Sequence, residues 1–198
     1  NSLKQNDIKK ILYLCNYEGI NTFDSSNDYE HSEALLGKLG NKKLQVITKI
    51  TPISNQRDNL KYFERCIEAS LNNLRRKSLY AVLFRNPTDL AKNISLWKIA
   101  RQYQNEGIIR KIGITIYDPN ELNTVYKLLK PDIIQSPFNI FDRRLDTSGW
   151  IRKLYNEKVE LHCRSIFLQG LLLRDTLPNI FHDYKNLWAI YKNWLKEN

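Results

Sequence analysis

A parallel α/β barrel of the (β/α)8 type is the fold class this sequence predicts, and three observations carry it. Helical and extended patterns alternate along all 198 residues, the order expected when helices join parallel strands. Most extended segments are unbroken apolar runs such as Leu79-Tyr80-Ala81-Val82-Leu83-Phe84, which suit strands covered on both faces. The polar residues Asp24, Lys49, Arg85, Thr115, Gln135 and Arg164 fall where those runs end, and such barrels carry their chemistry at the C-terminal strand ends. A doubly wound sheet is the competing arrangement, but no glycine-rich GxGxxG turn follows any run.

Each element has its own signal. Residues 7–17 place Ile8, Ile11, Leu12, Leu14 and Cys15 on one helical stripe. Gly19 ends that helix, and 20–25 reads as a strand. A short helix over 32–39 stops at Gly40, a strand covers 44–50, and a Pro/Ser/Asn loop covers 51–58. A long helix over 59–73 lines up Leu60, Phe63, Ile67, Leu71 and Leu74, the strand 79–84 follows, and Asn86-Pro87 breaks it. A helix over 94–105 ends before Gly107, and 112–116 is a strand. Asp118-Pro119-Asn120-Glu121 starts a helix running to about Lys130, since proline fits the first turn. Then come a strand at 133–136, a helix at 150–156, a strand at 160–165 and a last helix at 184–196. Six strands result, in one domain over 1–198 with no linker.

Composition narrows the function classes. No apolar stretch approaches the roughly 18–20 residues needed to cross a bilayer, and the first residues do not read as a signal peptide. Cys15, Cys66 and Cys163 are odd in number and far apart, which suggests neither a disulfide framework nor a metal pair and fits a reducing cytoplasm. The net charge of +10 is dispersed over Lys9-Lys10, Lys42-Lys43, Arg75-Arg76-Lys77 and Arg143-Arg144. It reads as a solvated basic surface that favours anionic ligands such as nucleotide phosphates, not as a nucleic-acid or membrane face. His31, His162 and His182 are too scattered for a metal site, although His31 stands near Tyr29. Trp97, Trp150, Trp188 and Trp194 fall on helical stripes and are expected to pack.

Asp24, Tyr29 and Lys49 form the most informative set. An ammonium beside a phenol stabilises the phenolate and draws the pKa down from about 10, and a carboxylate holds the ammonium in place. Asp24 could instead cap a turn, Tyr29 line a rim and Lys49 sit in solvent; only convergence of the three decides.

Five segments resemble the aldo-keto reductase family. GINTFDSSNDYEHSEALLG (19–37) resembles the signature in which a strand ends in Asp, Tyr follows and a Ser-Glu-x-x-x-Gly helix comes next. LQVITKI (44–50) resembles the strand with the family lysine, and GIIRKIGITIYDPNEL (107–122) the segment reading GKIRxIGVS. DIIQSPFNIFDRR (132–144) resembles the strand with the cofactor-contacting Gln, and VELHCRSIFLQGLLL (159–173) the seventh strand with its Gly-Leu-Leu tail. The resemblance covers nearly the whole chain in order. It implies that strands one and eight of the barrel lie outside this chain, which also begins at Asn1 and contains no Met. The expectation is a piece of a longer protein.

The resemblance implies hydride transfer from NADPH or NADH to an aldehyde, ketone or sugar derivative. Tyr29 would be the acid, Lys49 would tune it, and Asp24 would fix Lys49. Thr115 and Gln135 would meet the nicotinamide carboxamide, with Arg164 and Ser165 also at the cofactor and Asn139 shaping the pocket. The chain departs from the family twice: Arg85 stands where His is usual, and Arg164 where an aromatic ring is usual. A permanently charged guanidinium still polarises a carbonyl oxygen or binds an anion, but it is no neutral imidazole. Arg85 therefore points to an anionic or highly oxygenated substrate. The two arginines also keep open a second reading, a catalytically weakened cofactor-binding barrel with a regulatory or scaffold role. A homo-oligomer is compatible with either.

Overall fold

The structure, a computed structural model, describes residues 5–29, 31–51 and 58–198. The elements in order are α1 (Gln5–Tyr17), β1 (Thr22–Asp24), α2 (Ser32–Leu39), β2 (Gln45–Ile50), α3 (Asn59–Leu74) and β3 (Leu79–Phe84). Then follow α4 (Pro87–Lys92), α5 (Ile94–Asn105), β4 (Ile109–Thr115), α6 (Asn120–Leu129), β5 (Ile133–Pro137), α7 (Arg144–Thr147), α8 (Trp150–Asn156) and β6 (Glu160–Arg164). Two 3-10 segments, Leu168–Leu173 and Asn179–Tyr184, lead into α9 (Lys185–Glu197).

The six strands form one sheet in the order β1-β2-β3-β4-β5-β6, and every neighbouring pair is parallel. The sheet is curled into a half-barrel with alternating helices, matching part of a (β/α)8 barrel. Among the described residues β1 and β6 each pair with one neighbour only.

Strand side chains alternate between faces, and the two faces hold different cores. Outward, Val46, Val82, Phe84, Ile112, Ile114 and Ile134 pack with Phe63, Ile67, Leu74, Trp97, Val125 and Trp150 of the helices. Phe63 stacks on Phe84 with ring centroids 5.5 Å apart, and burying a side chain of this size contributes about 1.5–3 kcal/mol. Inward, Ile47, Ala81, Leu83 and Ile133 form a small apolar layer halfway along the strands. Asp58 caps α3 by accepting a hydrogen bond from the Lys61 backbone N at 3.1 Å.

Two glycines explain tight contacts. A Cβ on Gly37 would lie 2.1 Å from the Asn73 carbonyl oxygen, so α2 can meet α3 only without a side chain there. One residue turn away, buried Glu33 accepts hydrogen bonds from Thr48 at 2.6 Å and Ser70 at 2.9 Å, tying α2 to β2 and α3. On β4 a Cβ at Gly113 would lie 2.1 Å from the Ile133 carbonyl oxygen.

Four expectations need revision. β4 begins at Ile109 rather than at residue 112. Asn86-Pro87 is a helix start as well as a break: Asn86 takes φ +68 and Pro87 opens α4, since its fixed φ suits a first helical position. The stripe of α1 buries no residue, and Ile11 and Leu14 remain exposed. Trp97 and Trp150 are buried but Trp194 on α9 is not. Periodicity reveals a face and not what covers it. Most of the loop expected at 51–58 lies outside the described residues.

Candidate active site

The C-terminal ends of the strands surround a polar cavity of about 330 Å³ lined by Asp24, Tyr29, Lys49, Arg85, Thr115, Tyr117, Gln135 and Arg164. Asp24 ends β1, Lys49 is next to last in β2, Arg85 follows β3, Thr115 ends β4, Gln135 sits mid-β5 and Arg164 ends β6. The register keeps them level, with Lys49 beside Leu83 and Thr115 beside Gln135.

Lys49 is the buried anchor, 4% exposed. Its Nζ donates to Asp24 Oδ2 and, at 3.2 Å, to the Ser25 carbonyl. Burial pushes the Lys49 pKa below its ordinary value despite the Asp24 carboxylate, and the charges of Arg85 and Arg164 push the same way. Asp24 Oδ1 accepts from Gln135 Nε2 at 3.3 Å, so one carboxylate bridges β2 and β5. The other end of that amide, Gln135 Oε1, is buried and receives no hydrogen bond from the described residues.

Tyr29 rides on the turn after β1. Its backbone N–H donates to the Ser26 carbonyl at 3.1 Å, and its carbonyl accepts from the Ser32 N–H at 2.8 Å. The side chain is 45% exposed. Two cations flank its ring: Lys49 Nζ and Arg85 Cζ each lie 5.4 Å from the centroid. Arg85 itself is engaged by Asp28, donating from Nη1 at 2.9 Å and from Nη2 at 3.2 Å, and it also reaches Ser26 Oγ at 3.1 Å. Ser26 in turn donates to Asp28 and to the Lys49 carbonyl.

Arg164 packs over the Tyr117 ring at 4.3 Å and donates from Nη2 to the Ile116 carbonyl at 3.1 Å. Ser165, beside it, takes φ +57, and its carbonyl accepts from Asn139 Nδ2 at 3.2 Å. Ser165 is not among the residues lining the cavity. His31 is exposed and borders an adjoining groove of about 420 Å³ shared with Asp24 and Tyr29. Among the described residues no group of His, Cys, Asp and Glu could hold a metal ion, and no helix is long and apolar enough to cross a membrane.

Seven of the nine residues singled out from the sequence therefore line one cavity, while Ser165 and Asn139 do not. Sequence reasoning did not find Tyr117, Ser26 or Asp28. The last two lie inside the signature segment, but their bonds to Arg85 span 59 and 57 residues, a distance no local pattern reports.

A parallel half-barrel with polar residues gathered at its C-terminal mouth defines the class: a (β/α)8-type scaffold bearing an enzyme-like pocket. The family model for the aldo/keto reductase family matches residues 1–192, and the chain belongs to that family. It is 36% identical over 140 residues to an uncharacterized oxidoreductase of Schizosaccharomyces pombe, covering 68% of this chain and 49% of the relative. It superposes on the holo form of an aldo-keto reductase from Bacillus halodurans with a TM-score of 0.73 at 22% identity, covering 90% of this chain and 63% of that one. A Gox0644 mutant in complex with NADPH superposes with a TM-score of 0.68 at 16% identity, covering 88% and 64%. The chain thus spans about half the length of the curated relative it matches.

Proposed function

We propose that this chain reduces the carbonyl of a small aldehyde, ketone or sugar derivative with a reduced nicotinamide cofactor, NADPH or NADH, and that Tyr29 is the proton donor. The observation that carries this reading is the convergence of Tyr29, Lys49 and Asp24, from separate segments, on one cavity.

Charge grows on the carbonyl oxygen as the carbon is reduced, so a donor at that oxygen lowers the barrier. The Tyr29 hydroxyl, on a partly exposed ring flanked by Lys49 and Arg85, is suited to give that proton. Lys49 and Arg85 place positive charge beside the ring on which negative charge is left after the transfer. Asp24 keeps the Lys49 ammonium in place from the other side.

The residues present fit a nicotinamide. Gln135, 3% exposed, has an Oε1 that lacks a donor, and a carboxamide NH2 would supply one. Buried Thr115 stands beside it in register. Asn139 shapes the same wall by anchoring the Ser165 backbone. When bound, the reduced cofactor supplies the hydride while the protein orients it. The NADPH complex among the structural neighbours is in keeping with this reading. A cytoplasmic setting and a single barrel domain continuing beyond both ends are part of the same proposal.

One observation favours a second reading, a cofactor-binding barrel with weakened turnover. Arg85, standing where the family usually has His, is engaged by Asp28 rather than left free for a carbonyl oxygen. Steady-state oxidation of NADPH and NADH on a panel of aldehydes, ketones and aldoses separates the two. Multiple turnovers, lost in Tyr29→Phe with cofactor affinity retained, support the reductase. Cofactor binding without turnover on any carbonyl overturns it in favour of the second reading.

A further inference from the structure

The charges lining the cavity do not balance. Lys49, Arg85 and Arg164 are cations, whereas Asp24 and Asp28 are the carboxylates that meet them. Lys49 holds Asp24 and Arg85 holds Asp28, but no carboxylate lies within ion-pair distance of Arg164 among the described residues. Nη2 donates to the Ile116 carbonyl, and among the described residues the buried Nε has no partner. A guanidinium with unspent donors, half-buried beside a cavity, is costly to leave without an acceptor.

The same residue is held in one attitude. Its Cζ lies over the Tyr117 ring, 4.3 Å from the centroid, its backbone ends β6, and Asn139 clamps the next residue through the Ser165 carbonyl. Little side-chain entropy remains to be lost on engaging a ligand. Planar, forked donors of this kind suit the paired oxygens of a carboxylate or phosphoryl group.

We propose that Arg164 is the anion-binding determinant of this cavity, receiving a carboxylate or phosphoryl oxygen of the bound ligand. The site's preference is then for anionic ligands over their neutral analogues, and Arg164, rather than Arg85, sets it. The assignment rests on the cavity being the ligand site of the proposed reductase, yet it can fail or hold independently of turnover.

The test is equilibrium binding to the full chain, by calorimetry, for the protein, Arg164→Gln and Arg164→Lys. Thermal unfolding confirms that each variant is folded. Succinate probes the carboxylate arm. NADPH, compared with dihydronicotinamide riboside, which has no phosphate, probes the phosphoryl arm. A charge-assisted bidentate contact gives a loss of about 10- to 100-fold when removed. Weaker succinate binding in Arg164→Gln with NADPH unchanged assigns a substrate carboxylate. Weaker NADPH binding with the riboside unchanged assigns a cofactor phosphate. Partial recovery in Arg164→Lys marks charge as the cause in either arm. Affinities for succinate and NADPH that stay within twofold in folded Arg164→Gln overturn the proposal. Absence of turnover with this anion dependence intact would instead count against the reductase reading alone.

Discussion

The inner face of the sheet carries two polar clusters built from the same functional groups, one at each end of the strands. At the C-terminal end stand a phenol, an amine and a carboxylate: Tyr29, Lys49 and Asp24. At the N-terminal end stand Tyr80, Lys111 and Glu160, with His162 added. The second cluster is closed. Tyr80 donates to both Glu160 oxygens at 3.0 and 2.7 Å, Lys111 donates to the same carboxylate, and His162 Nε2 lies 2.6 Å away. An ionised carboxylate has no proton to give, so that imidazole nitrogen is the donor. The first cluster is open: Tyr29 is exposed at its rim, and among the described residues Gln135 Oε1 and Arg164 Nε lack partners and the Arg164 guanidinium lacks a counter-ion. Similar chemistry is structural where its groups meet one another, and available to a ligand where buried polar atoms are left over.

Variants at matched positions sharpen this contrast. The largest effect belongs to the phenols: Tyr29→Phe should lower kcat by about 100- to 10,000-fold, the usual worth of a general acid, with Tyr80→Phe within twofold. Steady-state rates for the pair measure it, and equal losses would erase the distinction. Next comes stability, where the order reverses. Glu160→Ala strips three donors of their acceptor and should cost about 2–3 kcal/mol in urea unfolding. Asp24→Ala should cost less, about 1–2 kcal/mol. Asp24 is 42% exposed, so water can take its place beside Lys49.

The smallest effects are those of pH. Burial raises the Glu160 pKa, but Lys111, Tyr80 and His162 outweigh it, leaving the group below its ordinary 4.5. Its contribution to stability is present above that value and fades as pH falls through the folded pKa. Glu160→Gln should flatten the acid side of a stability–pH curve. At the open end the slope has the same sign, at higher pH and from a different cause: burial lowers Lys49 from its ordinary 10.5, so the folded chain sheds that proton first. Stability should then gain as pH climbs from the folded pKa towards 10.5, and Lys49→Met should remove the gain.

Much of this was legible in advance, for local reasons. Apolar runs mark the strands because both faces are covered, and the polar residue closing each run marks the mouth. Glu33 and Gly37 were visible only as part of the segment that resembles the family signature, and the contacts they make with β2 and α3 were not. The closed cluster was not legible. Tyr80, Lys111 and Glu160 meet through the register of separate strands, and nothing beside them in the chain hints at it. The bond from Arg85 to Asp28 was hidden likewise, and with it the fact that, among the described residues lining the mouth, Arg164 is the cation without a carboxylate. The stripes of α1 and α9 were readable as patterns, yet their cover was not.

The apolar layer of Ile47, Ala81, Leu83 and Ile133 gains meaning from what lies above and below it. It is an apolar layer, thinned to backbone at Gly113, between the polar mouth and the Glu160 cluster at the other end of the strands. Each ammonium therefore keeps a carboxylate of its own, Lys49 with Asp24 above the layer and Lys111 with Glu160 below it.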